Sequence, residues 1–190
     1  MQERYTKQAE NVLALAKEAA SSCGHSYIGT EHLLVGLVEE KEYLKALYLL
    51  EIMPENIESA ALKYQCKLEV SENSAIRYFD VIQEKYRGDE QYPAVMESIM
   101  HWVLVSDSRT DAVIKNGLDA AERLLRSGRN GDYRVHETMG ILCYRYGESF
   151  KRKGVQALEN SIPAAKMNCA GDDVIKHLEE QVKIYREKLD

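Results

Sequence analysis

The sequence predicts an all-α protein, and three observations carry that prediction. Apolar residues recur at helical spacing in nearly every stretch between turn signals, and no stretch alternates apolar and polar residues as a strand would. Only 3 prolines and 11 glycines punctuate 190 residues, and hydrophobic residues make up 45% and charged residues 29%. That balance fits an ordered, helix-rich chain with a real core, because a fold of this size buries about 70% of its unfolded surface.

In chain order, Ala9, Val12, Leu13, Ala16 and Ala20 give a first helix over Thr6 to Ala20 one apolar face. Gly24 and Gly29 punctuate the loop that follows. Thr30 then reads as the N-cap of a second helix, with Glu31 in its first turn, where the macrodipole favours a carboxylate. The run Tyr43 to Leu50 is a third helix, and Pro54 ends it and opens a fourth near Glu55 to Tyr64.

Beyond that point Ala75, Ile76, Phe79, Ile82 and Tyr86 form a stripe that stops at Arg87-Gly88. Pro93 opens a helix with Val95, Ile99, Trp102 and Val103, and Ala112 to Leu125 makes another, closed by a turn at 127–131 in which Gly128 is the C-cap. Val135 to Tyr146 and Val155 to Met167 pair around Gly147. The stretch 174–189, with Val174, Leu178, Val182, Tyr185 and Leu189, is a terminal amphipathic helix.

The distinctive string is Gly24-His25-Ser26-Tyr27-Ile28-Gly29-Thr30-Glu31-His32-Leu33-Leu34-Val35-Gly36-Leu37, preceded by the helix AENVLALAKEAA. Over about residues 1–66 the chain resembles one repeat of the N-terminal domain of the Clp-type AAA+ unfoldases. It departs from that family in a shortened turn, Glu39-Glu40-Lys41-Glu42, and in lacking the second repeat that normally follows. The resemblance implies a four-helix unit that recognises protein partners, with the Clp machinery or its substrates among them. It also implies a phosphoarginine-type ligand site at Arg4, Thr6, Thr30 and Glu31, weakened here because the paired site of a second repeat is missing.

Residues 67–190 are expected to be a helical-hairpin region packed on the first. The strings SAIRYFDVIQEKY, KNGLDAAERLL and KGVQALENSI repeat weakly, and Met139-Gly140-x-x-Cys143-Tyr144-x-x-Gly147 resembles the first helix of a tetratricopeptide repeat. Tetratricopeptide-like hairpins closed by a capping helix, or an irregular helical bundle, both satisfy this pattern. In the hairpin reading Met96, His101, Arg134, Glu137, Tyr144 and Arg145 line a peptide groove, unless the closing helix fills it.

Chemistry-bearing motifs are sparse. The chain holds no H-E-x-x-H, no two histidines four apart, and no G-x-x-x-x-G-K-[ST], so the sequence gives no catalytic residue, metal site or cofactor. The cysteines Cys23, Cys66, Cys143 and Cys169 stand far apart and read as buried thiols. No apolar run reaches the roughly 18 residues of a membrane span, and the polar N-terminus is no signal peptide, which together point to the cytoplasm.

The net charge of −6 disfavours nucleic acid as a partner. Residues 123–153 nevertheless hold 8 Lys/Arg against 3 Asp/Glu, and nucleic-acid binding through that stretch stands as the alternative reading, beside an enzyme of unrecognised type. The function read from the sequence is a non-catalytic protein- or peptide-binding module, an adaptor or regulator in Clp-linked protein quality control.

Overall fold

A computed structural model describes residues 6–106 and 108–189. Among these residues there are ten α-helices and one short 3-10 turn, and no strand. No helix among them is long and apolar enough to cross a membrane. The chain divides into two compact units, Met1–Ser74 and Ala75–Asp190.

The first unit holds α1 (Lys7–Ser22), α2 (Thr30–Glu39), α3 (Tyr43–Ile52) and α4 (Ile57–Val70). Thr6 caps α1 by accepting the Ala9 N–H at 3.2 Å. The fourth helix starts later and runs further than the expected Glu55 to Tyr64. Asn56 accepts the Ser59 N–H at 2.7 Å while Ser59 Oγ accepts the Asn56 N–H at 2.9 Å, which fixes the start, and no turn residue interrupts before Ser71. Val12, Leu34, Leu37, Ala46, Leu50 and Cys66 form its core.

Helices α1 and α2 meet backbone to side. A Cβ built on Gly36 would collide with the Val12 carbonyl oxygen and come within 3.3 Å of the Ala16 nitrogen. Glycine at 36 is therefore what allows the two axes to come so close.

The second unit is built from α5 (Glu72–Tyr86, most of which belongs to it), α6 (Tyr92–Leu104), α7 (Asp111–Arg126), α8 (Tyr133–Tyr146), α9 (Glu148–Met167) and α10 (Asp172–Glu187). Successive helices from α6 to α10 pack on one another. Ser127 closes α7 and Gly128, at φ +95°, takes the left-handed position after it.

The α9 helix begins one residue after Gly147 rather than at Val155, so α8 and α9 form a tight pair. A Cβ on Gly154 would sit 2.7 Å from the Gly140 carbonyl oxygen, and one on Gly140 would sit 2.5 Å from Leu158 Cγ. Gly140 of the tetratricopeptide-like string is thus matched by a second glycine on the facing helix.

The thiols divide into two pairs. Cys66 and Cys143 are buried, and burial pushes the Cys66 thiol up from its ordinary 9.0 to about 11 and the Cys143 thiol up as well. Cys23 and Cys169 are exposed, contrary to the expectation for all four, because each lies in the turn just past a helix end, of α1 and α9 respectively.

Replacing Gly36 or Gly154 with Ala is expected to destabilise the protein by about 1–3 kcal/mol in urea unfolding. Gly88→Ala, whose Cβ would meet nothing within 4 Å, should stay within about 0.5 kcal/mol of the parent. A second measurement reads the thiol. With the folded-state value raised, the Cys66 contribution is complete below pH 9 and lost as pH rises towards 11. The alkaline fall in urea midpoint across that window should therefore be smaller in Cys66→Ala than in the parent.

Candidate functional site

Two places in the chain carry the residues singled out by the sequence. The first is the mouth of α2. Thr30 was expected to cap that helix, but it is its first helical residue, and Gly29 is the N-cap. Glycine offers no side-chain acceptor, and the cap bond runs the other way. The Gly29 N–H donates to Nδ1 of His32 at 2.8 Å. A buried His32, 3% exposed, thus satisfies the Gly29 N–H, and no side chain caps the first-turn N–H groups as Thr30 was expected to do.

The bond fixes the ring's chemistry. With Nδ1 accepting, the proton of the neutral imidazole sits on Nε2, which lies 2.9 Å from His25 Nδ1 and donates to it. Tyr27 stacks on His25 with ring centroids 5.7 Å apart, and both rings stand edge-on to His32. One histidine therefore ties the loop 24–29 to the helix it precedes.

Ligand atoms of His25, Glu31 and His32 all lie within 4.8 Å of one another, a grouping that could hold a metal ion. Helical spacing does not bring these histidines together, because His25 stands in the loop, seven residues before His32. The cap competes with such a use. A cation on His32 Nε2 requires the proton to move to Nδ1, which breaks the Gly29 bond. The two histidines thus hold the loop against the start of α2, and Glu31 takes no part in that bonding.

Glu31 folds back over Gly29, against whose would-be Cβ its carboxylate lies, and its side chain remains 54% exposed. The N–H groups of Thr30, Glu31 and His32 precede the first intrahelical bond, which runs from the Leu33 N–H to the Gly29 oxygen at 3.2 Å. Carboxylate and helix N-terminus therefore stand side by side and open to solvent. Thr6 is the α1 cap, and Arg4 lies outside the described residues.

The second place is a groove of about 860 Å³ in the second unit, between α6, α8 and the start of α10. Its lining includes the expected His101, Arg134 and Glu137, together with Trp102, Tyr133, Asp173, Val174 and His177. The other three expected residues lie elsewhere. Met96 is fully buried in the core.

Tyr144 packs edge-on against Tyr185 of α10, centroids 4.6 Å apart, with Lys151 over its ring. Arg145 donates to the Leu104 and Ser106 carbonyl oxygens at 2.8 and 3.3 Å, which ties down the end of α6. The closing helix borders the groove without filling it, and His177 Nε2 stands 3.5 Å from Glu137 Oε1 across it. Trp102 and Tyr133 were visible in the sequence as aromatic residues, but nothing in their spacing set them at a groove.

Most cations of 123–153 are already engaged. Arg123 donates to Gln83, Arg129 to Glu97 at 2.6 Å, Lys153 to Glu122 at 2.7 Å, and Lys151 to Glu148. The stretch is a set of local pairs, within and between helices, rather than one open basic face.

These features define an all-α chain whose first unit resembles a Clp-type N-terminal repeat. Residues 4–78 match the family model of the Clp repeat (R) N-terminal domain. Similar proteins include the negative regulator of genetic competence ClpC/MecB of Bacillus subtilis, 51% identical over 57 residues, which are 29% of this chain and 7% of that protein. The chaperone protein ClpB of Oceanobacillus iheyensis is 54% identical over 43 residues, 23% of this chain and 5% of that one. The chloroplastic chaperone protein ClpC of Pisum sativum is 43% identical over 61 residues, 31% and 7%. The chain thus spans a small fraction of the length of the curated relatives it matches. No solved structure matches it.

Substituting His32 with Ala removes the cap bond and leaves a void in the core. The expected cost is about 2–4 kcal/mol in urea unfolding. Thr30→Ala, which removes no cap bond, should cost less than about 0.5 kcal/mol.

Proposed function

We propose that the protein is a non-catalytic protein- or peptide-binding module that acts as a cytoplasmic adaptor or regulator in Clp-linked protein quality control. The observation that carries this reading is the Clp-type repeat over residues 4–78, folded as its own compact unit with an open α2 mouth. No phosphate-binding loop accompanies it in these 190 residues. The groove beside Trp102 and Tyr133 gives the second unit a surface of its own for an extended segment, and the glycine contact of α8 with α9 supports the tetratricopeptide-like reading of that region.

The ligand proposed at the α2 mouth is a phosphoarginine side chain. Glu31 accepts paired N–H bonds from the guanidinium, the free N–H groups of the first turn face the phosphoryl oxygens, and Arg4 and Thr6 complete the set. The internal pairing of the cations in 123–153 favours this reading over nucleic acid.

Two experiments test the proposal. In a degradation assay with a Clp unfoldase and its protease, adding the full chain should change the rate of substrate loss at least about twofold, and an unchanged rate at saturating chain contradicts the regulator reading. In calorimetry a phosphoarginine peptide should bind and its unmodified form should not. Glu31→Ala should weaken binding about tenfold or more, given that a charge-assisted bidentate pair contributes about 1.5–3 kcal/mol. Equal heats for the two peptides would leave Glu31 as a structural residue.

A further inference from the structure

Helix α3 is amphipathic in an unusual way. Its inner face carries Ala46 and Leu50, both buried, but its outer face is apolar too. Leu44, Tyr48 and Ile52 are 69%, 71% and 67% exposed. They recur every fourth residue and so form one stripe along about two turns. Scattered exposed apolar residues need no explanation, whereas a contiguous stripe does.

The edges of the stripe carry opposite charge. At about 100° per residue, Lys45 lies about 60° to one side of Tyr48 and Glu51 about 60° to the other. Each has a partner of its own, Lys45 with Glu42 at 3.0 Å and Glu51 with Lys63 at 2.8 Å. Those partners are the more buried member of each pair, at 21% and 12%, while Lys45 and Glu51 remain 63% and 59% exposed. The outward sign of each edge is therefore set by Lys45 and by Glu51.

That arrangement discriminates between orientations. Two copies of α3 related by a two-fold axis parallel to the helix bring each Lys45 edge against the partner's Glu51 edge, on both sides of the stripe. An antiparallel pair sets like edges together. We propose that α3 is a self-association surface, on which a second copy of this chain seats its own α3 in parallel, Tyr48 against Tyr48 at the centre. The contact is small, so the dimer is weak and reversible and forms at high local concentration.

Sedimentation equilibrium of the full chain at low salt tests this from micromolar to millimolar concentration. The mass should rise from 21.7 kDa towards twice that value, and Tyr48→Glu should hold it at the monomer. Lys45→Glu should weaken association about tenfold, and Lys45→Glu with Glu51→Lys should restore it. The charge variants carry the test alone if circular dichroism shows Tyr48→Glu unfolded, because both sites are on the surface. A monomer at every concentration overturns the proposal. So does dimerisation that ignores Lys45→Glu, or a charge-swapped double variant no better than the single one.

Discussion

The contact between Gly36 and the Val12 carbonyl is the constraint on which the first unit depends. Helices α1 and α2 cross so closely that no Cβ fits at position 36. That distance puts Leu34 and Leu37 against Val12 in one core. One turn before Gly36, His32 is buried as well, and a buried imidazole needs partners for its nitrogens. It finds them in the Gly29 N–H and in His25. The loop is thereby pinned, the helix start is set at Thr30, and Glu31 is left facing solvent beside it. A packing contact in the core and the polarity of the surface mouth are consequences of the same arrangement.

Much of the fold was legible in the sequence because helical periodicity records burial directly. Val12, Ala16 and Ala20, or Ala75, Phe79, Ile82 and Tyr86, are buried as their spacing required. The site was harder to read. Thr30 is a better cap by residue preference than Gly29, but the cap here depends on a tertiary fact, the burial of His32, which no local rule sees. Met96 and His101 are both plausible groove residues on one helix, yet one is core and the other lining. Which applies depends on where α8 and α10 lie, and that follows from the approach of α8 to α9 at Gly140 and Gly154. The resemblance to the Clp-type repeat gave the class of the first unit because its motif is specific. The second unit has no comparable string, and its groove became visible only in three dimensions.

The two units present different chemistry. The α2 mouth offers a carboxylate beside the backbone N–H groups of a first helical turn, the features on which the proposed phosphoarginine site rests. The groove of the second unit offers aromatic walls with mixed charge. Burial keeps the two buried thiols, Cys66 and Cys143, in the protonated form.

The most direct test of that account is where binding occurs. Amide chemical shifts of the full chain, followed by heteronuclear NMR during titration with a phosphoarginine peptide, should move at residues 24–37 and leave the interior of the second unit unchanged. Shifts that leave 24–37 untouched, at peptide concentrations that perturb other parts of the chain, would contradict the assignment of the α2 mouth as the recognition site.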